Sequence, residues 1–226
     1  MSGLTLLIGT HNRGKIGEIS RVLEPLGINC VSSSDLNIEL SEPEETGTTF
    51  AENARIKAVS AMKESGFPSV SDDSGLEIDA LNGRPGVYTA RYGGKEDFLR
   101  LGEDFRKKFL SEHPDYSDVV NFSHSVPFSE KIEILLEEMK NVPEEKRTAR
   151  FRCAICCALP DGRLIEAEGK VEGKIGYEPN GDNGFGFDPV FYRDGRSFAE
   201  YSAEEKDACS HRGEALRLFA EKMKEI

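Results

Sequence analysis

Val70-Ser71-Asp72-Asp73-Ser74-Gly75-Leu76 places two adjacent carboxylates where a short apolar run, Phe67 to Val70, meets a Ser-Gly pair. The pattern predicts that the run breaks into a turn there. Consecutive strand residues point to opposite faces. If Asp72 and Asp73 are still extended, one faces inward and the other a cleft; if they lie in the turn, both could reach one metal ion. Side by side, two like charges repel unless a cation or hydrogen-bond donors offset them. The plainer reading is a solvated turn, because Asp and Ser favour turns for their own reasons.

Toward the N-terminus, Leu4 to Ile8 is an apolar run bounded by Gly9 and reads as a buried strand. Thr10-His11-Asn12-Arg13-Gly14-Lys15 follows, with Asn12 suited to cap a helix whose apolar positions are Ile16, Ile19, Leu23 and Leu26. Pro25 and Gly27 end that helix. A strand, a turn and a helix start offer free N–H groups and a partial positive charge to an anion. The P-loop spacing is absent, and an ordinary strand-to-helix turn is the bland alternative. Asn29 to Ser32 reads as a second strand. The acidic loop Glu39 to Glu45 leads to Thr49-Phe50-Ala51-Glu52, a capping box that opens a helix through about Glu64. Glu52, Asn53 and Lys57 fall near one another at helical spacing, and the acidic loop could give a carboxylate to the cleft that Asp73 faces.

Toward the C-terminus, Leu76 to Leu81 resumes an apolar pattern and Gly83 to Gly86 is an irregular loop. Residues 95–111 read as one helix with Phe98, Leu101, Phe105 and Phe109 inward, and residues 112–128 as loop. Ser129 reads as the cap of a helix burying Ile132, Leu135, Leu136 and Met139. Thr148 to Leu159 is a strand buried on both faces, paired through Pro160-Asp161-Gly162 with Arg163 to Lys174. Phe185 and Phe187 share a glycine-rich loop, a setting poor for core packing and good for stacking on a planar ring. Val190 to Tyr192 reads as a closing strand, Ser202 to Glu205 as a capping box, and Ser210-His211-Arg212-Gly213 opens a last helix.

Composition limits the function classes. A 226-residue chain is one large domain or two lobes sharing a core, and a net charge of −12 argues against a general binder of nucleic acid polymers. No apolar run approaches the roughly 20 residues of a membrane span, and the N-terminal run lacks the basic flank of a signal peptide. Five cysteines, an odd number without a secretory signal, suggest reduced thiols and a cytoplasmic location. Cys153-Ala154-Ile155-Cys156-Cys157 reads as buried strand, since no second pair follows at zinc-site distance. Of the four histidines, His11 and His211 lie beside candidate site residues, whereas His113 and His124 read as surface loop.

Together these segments resemble the inosine triphosphate pyrophosphatase family. The likeness rests on Thr10-x-Asn12-x-x-Lys15, Glu44 to Gly47, Phe50-x-Glu52-Asn53-Ala54-x-x-Lys57-Ala58, Ser71 to Leu76, Gly83-x-Pro85-Gly86, Ala90-Arg91-Tyr92, Gly184 to Pro189 and Ser210 to Gly213, in order. The resemblance implies an elongated α/β fold, with a long mixed central sheet and flanking helices forming two lobes around a cleft. It implies hydrolysis of ITP, dITP and XTP to monophosphate and pyrophosphate, cleansing the nucleotide pool, with Mg²⁺ as cofactor and a homodimer as assembly. It carries the triphosphate turn onto Thr10, His11, Asn12, Arg13, Gly14 and Lys15; by charge alone, Lys15, Lys57, Lys206 and Arg212 could offset part of a triphosphate's negative charge. It makes Asp73 the metal ligand and proton acceptor, with Glu45 the second ligand unless the match slips to Glu44. Ser74 becomes a substrate contact, Phe185, Gly186, Phe187 and Asp188 the base pocket, and Lys206, His211 and Arg212 further contacts. The chain departs from the family in residues 95–128, which read as an insertion within one domain spanning residues 1–226. A nucleotide-dependent transferase or a non-catalytic purine nucleotide sensor would use the same phosphate turn.

Overall fold

In the computed structural model the described residues are 5–116 and 126–225. Leu4, His124 and residues 117–125 of the expected loop lie outside them. The strands form one mixed seven-stranded sheet: β1 (Thr5–Ile8), β2 (Asn29–Ser32), β3 (Ser69–Ile78), β4 (Thr148–Ala158), β5 (Leu164–Ile175), β6 (Phe191–Arg193) and β7 (Arg196–Ser197), in the order β2-β1-β3-β4-β5-β6-β7. β1 runs parallel to β2 and to β3, while β5, β6 and β7 pair antiparallel. Helices are α1 (Arg13–Leu23), α2 (Phe50–Ser65), α3 (Lys95–Leu99), α4 (Glu103–Glu112), α5 (Phe128–Glu138), α6 (Ala203–Cys209) and α7 (His211–Met223).

The chain divides into two compact units. One comprises residues 1–74, 151–171 and 202–226, the other residues 75–150 and 172–201. In the first, Leu6, Ile8 and Val70 meet Ile19 and Leu23 of α1, Leu216, Phe219 and Met223 of α7, and Cys153, Ile155 and Cys157 of β4. All five cysteines are free thiols, and burial pushes Cys156 and Cys157 up to about 12. In the second unit, Phe98, Phe109 and Tyr116 pack ring against ring, and Phe191 stacks edge-on against Phe198.

The local signals act as read at most boundaries. Asn12 accepts from the backbone N–H of Lys15, and Gly27 closes the turn after α1 with φ +84°. Thr49 and Glu52 make the capping box of α2, and Ser202 and Glu205 that of α6. Four readings need correction. β3 does not break at Ser74-Gly75 but runs unbroken from Ser69 to Ile78, because its inward polar groups meet partners in place. The single helix over 95–111 is two, separated at Arg100–Gly102, where Leu101 turns inward and Gly102 takes the extended backbone that starts α4. α5 starts at Phe128 after an extended Pro127, so Ser129 lies inside the first turn and caps nothing. Leu26 is 42% exposed, because α1 tightens to a 3-10 turn at Glu24 and rotates it outward.

Candidate active site

The first unit builds its polar site around β3. Thr10, His11 and Asn12 form the bend after β1, and Arg13, Gly14 and Lys15 are the first residues of α1. Thr10 Oγ1 accepts from Asn12 N at 3.2 Å, and His11 Nε2 donates to Leu40 O at 3.1 Å. Lys15 leaves this bend for β3: its ammonium lies 3.0 Å from Asp72 Oδ2.

The strand alternation holds, so Asp72 and Asp73 serve different clusters. Asp72 Oδ2 accepts from Arg212 Nη2 at 3.0 Å and from Ser74 Oγ at 3.1 Å, and Ser74 also accepts from Arg212 Nη2 at 2.8 Å. Burial alone would raise the Asp72 carboxyl, but Lys15, Arg212 and Lys57 outweigh it and hold it well below the ordinary carboxylate range. Asp73, one residue on, accepts from Lys57 Nζ at 2.8 Å and from Asn53 Nδ2 at 3.2 Å. The same ammonium reaches Glu45 Oε1 at 2.8 Å. Burial pushes the Asp73 carboxyl up against the pull of Lys57, with Glu45 adding repulsion. Lys57 is the opposite case: burial favours its neutral form, but Asp73, Asp72 and Glu45 together raise it, so it stays charged.

α2 and the loop before it explain this convergence. Asn53 and Lys57 are four residues apart and share a helix face. Gly47 N donates to Asn53 Oδ1 at 2.9 Å, and a Cβ at Gly47 would fall 2.6 Å from that oxygen. Glycine therefore lets the acidic loop lie on the start of α2, with Glu45 rather than Glu44 at Lys57. Among the described residues no group of three or more His, Cys, Asp or Glu side chains converges as a metal site.

Sequence reasoning missed Glu18. It is 4% exposed on α1, accepts from Lys206 Nζ at 2.8 Å and pairs with Arg212 Nη1. Burial raises its carboxyl, but Arg212 and Lys206 overcome that and lower it. The available signal was a charge one residue before the inward Ile19. Lys206 and Arg212 are thus buried and ion-paired on the first unit's inner side, together with Asp72. His211 is buried as well, with its ring stacked on Phe151 at 4.8 Å between centroids. Burial, then Arg212 and Lys206, push its pKa well below the ordinary value, so the ring is neutral. A Cβ at Gly169 would lie 2.3 Å from His211 O and 2.5 Å from Ala215 N, so glycine on β5 is what lets the start of α7 come this close.

Phe185, Gly186, Phe187 and Asp188 belong to the second unit. Asp188 is 2% exposed, and its Oδ2 accepts from Phe185 N at 2.7 Å, which folds the glycine-rich loop back on itself. Phe187 corrects the reading that such rings do not pack: it is 1% exposed, edge-on to Tyr92 and Phe128. Phe185 is half-buried.

The family follows from comparison with known proteins. The dITP/XTP pyrophosphatase of Rhizobium meliloti is 44% identical over 227 residues, covering 96% of this chain and 94% of that protein. The dITP/XTP pyrophosphatase of Nitratidesulfovibrio vulgaris is 43% identical, covering 98% and 96%. Among solved structures, a HAM1 protein from Coxiella burnetii superposes with a TM-score of 0.76 at 33% identity, over 99% of this chain and 100% of that one. The Ham1 family profile matches residues 6–113 and 116–222, which include Lys15, Asp72, Asp73, Lys57 and Arg212. With nearly the whole chain matched, this protein belongs to the Ham1 family.

Proposed function

We propose that the chain hydrolyses deaminated purine nucleoside triphosphates, ITP, dITP and XTP, at the α-phosphorus, releasing pyrophosphate and the monophosphate. The observation that carries the reading is the division of labour on β3. Adjacent carboxylates each hold a lysine, one from the first turn of α1 and one from α2. Ham1 relatives named dITP/XTP pyrophosphatase supply the reaction class.

Asp73 and Glu45 are the residues that would hold Mg²⁺. Two carboxylates converge on the single point now taken by the Lys57 ammonium, one more negative charge than positive, and oxygen donors suit a hard cation that keeps some of its water. When bound, Mg²⁺ lowers the pKa of a coordinated water and offsets charge on the phosphate. The other roles fall to the protein. Asp73 orients the attacking water and accepts its proton. Lys57 moves its charge to the polyphosphate. The bend from Thr10 to Lys15 holds the leaving pyrophosphate on helix N–H groups and an ammonium. Ser74, Lys206, His211 and Arg212 are the substrate contacts of this reading, and Phe185 stacks on the base. Donors at the purine 6-position, from Arg212 or from backbone N–H groups near Asp188, suit the 6-oxo group of hypoxanthine and xanthine and are left unpaired by the 6-amino group of adenine. A homodimer and a cytoplasmic location belong to the same proposal. No helix among the described residues is long and apolar enough to cross a membrane.

Pyrophosphate release from ITP, XTP, dITP, ATP and GTP, with and without Mg²⁺, tests the reading. The expected result is Mg²⁺-dependent release with kcat/KM for ITP roughly 100-fold or more above that for ATP. Comparable values for ATP and ITP would remove the base selection, and nucleotide binding without turnover would leave a sensor instead.

A further inference from the structure

We propose that Asp72 is a positioning residue that acts through Lys15: it fixes the lysine ammonium at the phosphate bend by tying it to the immobile Arg212. The inference rests on the reading of Lys15 as a polyphosphate contact.

One oxygen does the tying. Asp72 Oδ2 receives Lys15 Nζ at 3.0 Å, Arg212 Nη2 at 3.0 Å, Arg212 Nε at 3.3 Å and Ser74 Oγ at 3.1 Å, while Oδ1 has no hydrogen-bond partner among the described residues. The side chains grade from inside to outside: Asp72 is 0% exposed, Arg212 2% and Lys15 16%. Arg212 is held from behind by Glu18, and it sits on the first turn of α7, whose start is capped by Ser210 Oγ accepting from Gly213 N at 3.1 Å. The chain of contacts Glu18, Arg212, Asp72, Lys15 is therefore anchored at its buried end, and Lys15 is its most exposed member.

A lysine on a four-carbon stem has many rotamers, and restricting them before the ligand arrives lowers the ordering cost of binding. Two cations sharing an anion also sit closer than they otherwise would. Removing the carboxylate's charge leaves Lys15 repelled by Arg212 and released toward water. The effect falls on polyphosphate affinity more than on the chemical step, because Asp73 faces the other side of the strand.

A double-mutant cycle separates this from a merely structural role. The proteins are wild type, Asp72→Asn, Lys15→Met and the double variant. The readouts are the calorimetric Kd for inorganic pyrophosphate and the KM and kcat for ITP. Asp72→Asn is expected to weaken pyrophosphate binding and raise KM about tenfold, with kcat changed less than about threefold; in the Lys15→Met background the same substitution should add less than twofold. An effect of Asp72→Asn as large without Lys15 as with it would overturn the inference, as would a Kd within twofold of wild type. If Asp72→Asn does not fold by circular dichroism, Asp72→Ser, which removes the charge with a smaller side chain, carries the same cycle and criteria. A wild type that releases no pyrophosphate from ITP breaks the proposed function; the pyrophosphate Kd still decides the role of Asp72.

Discussion

Both units bury cations, but they hold them in different ways. In the first, Arg212, Lys206, Lys15 and Lys57 meet the carboxylates of Asp72, Glu18, Asp73 and Glu45. In the second, Arg147 is 1% exposed and donates to the backbone carbonyls of Ile175 at 2.9 Å, Met139 at 2.7 Å and Gly176 at 2.6 Å, with its guanidinium over the Tyr177 ring. Lys131, also 1% exposed, donates to Ala90 O at 2.6 Å and lies over the Phe128 ring. Carbonyls are fixed dipoles of the main chain, so a cation that gathers them closes loops and can do little else. Carboxylates carry whole charges on movable stems, so their cations can be shared with an incoming anion. Burial of charge alone does not mark a functional site; the identity of the partner separates site from scaffold.

Substitutions in the two regions should therefore give opposite phenotypes. Asp73→Asn keeps size and removes charge, and is expected to lower kcat for ITP by roughly 10²–10⁴-fold while thermal unfolding stays near wild type. Near-normal turnover would take Asp73 out of the chemistry and erase the contrast. Arg147→Met should do the reverse. It strands several buried carbonyls, a loss of about 3 kcal/mol and a fall in Tm of roughly 5–10 °C, with kcat measured at low temperature unchanged. A loss of turnover with unchanged Tm would move Arg147 to the site.

Acid–base behaviour sharpens the same distinction. Burial pushes the Lys131 ammonium down to about 8 from an ordinary 10.5, so the unfolded chain binds the proton more tightly. Below both values the cost is constant. Between them the unfolded chain holds more protons, so stability should climb as pH rises, by on the order of 1–2 kcal/mol. Urea unfolding at pH 7 and pH 9.5 should show that climb in wild type and lose it in Lys131→Met; equal climbs in both would assign it elsewhere. The smallest effects concern caps. Ser210→Ala should cost about 1 kcal/mol in urea unfolding, because its hydroxyl accepts the α7 start, whereas Ser129→Ala should stay under about 0.5 kcal/mol.

Much of the first unit was legible because its instructions are local. Asn12, Thr49 and Ser202 each cap the helix that follows, and the extended one of the two readings of the pair put Asp72 and Asp73 on opposite faces. The long strand through Asp72 was not legible. Aspartate, serine and glycine argue for a turn until their partners are known, and those partners come from Lys15, Lys57 and Arg212, distant in sequence. Glu18 was hidden for the same reason: only Lys206 and Arg212 make an inward glutamate tolerable. Phe187 failed in the other direction. Glycine neighbours describe the backbone around a ring, but Tyr92 and Phe128 decide where the ring goes.

The pairing of Leu7 with Ser69 and of Ile8 with Val70 sets the phase of everything downstream on β3. Deleting Ser71, which alone lies between Val70 and Asp72, would bring Asp73 to the place Asp72 holds beside Lys15 and turn Asp72 to the opposite face, two residues short of the place from which Asp73 meets Lys57. The paired acids are not interchangeable copies, and transplanting this catalytic apparatus to another scaffold would require copying the parity of the strand along with its letters.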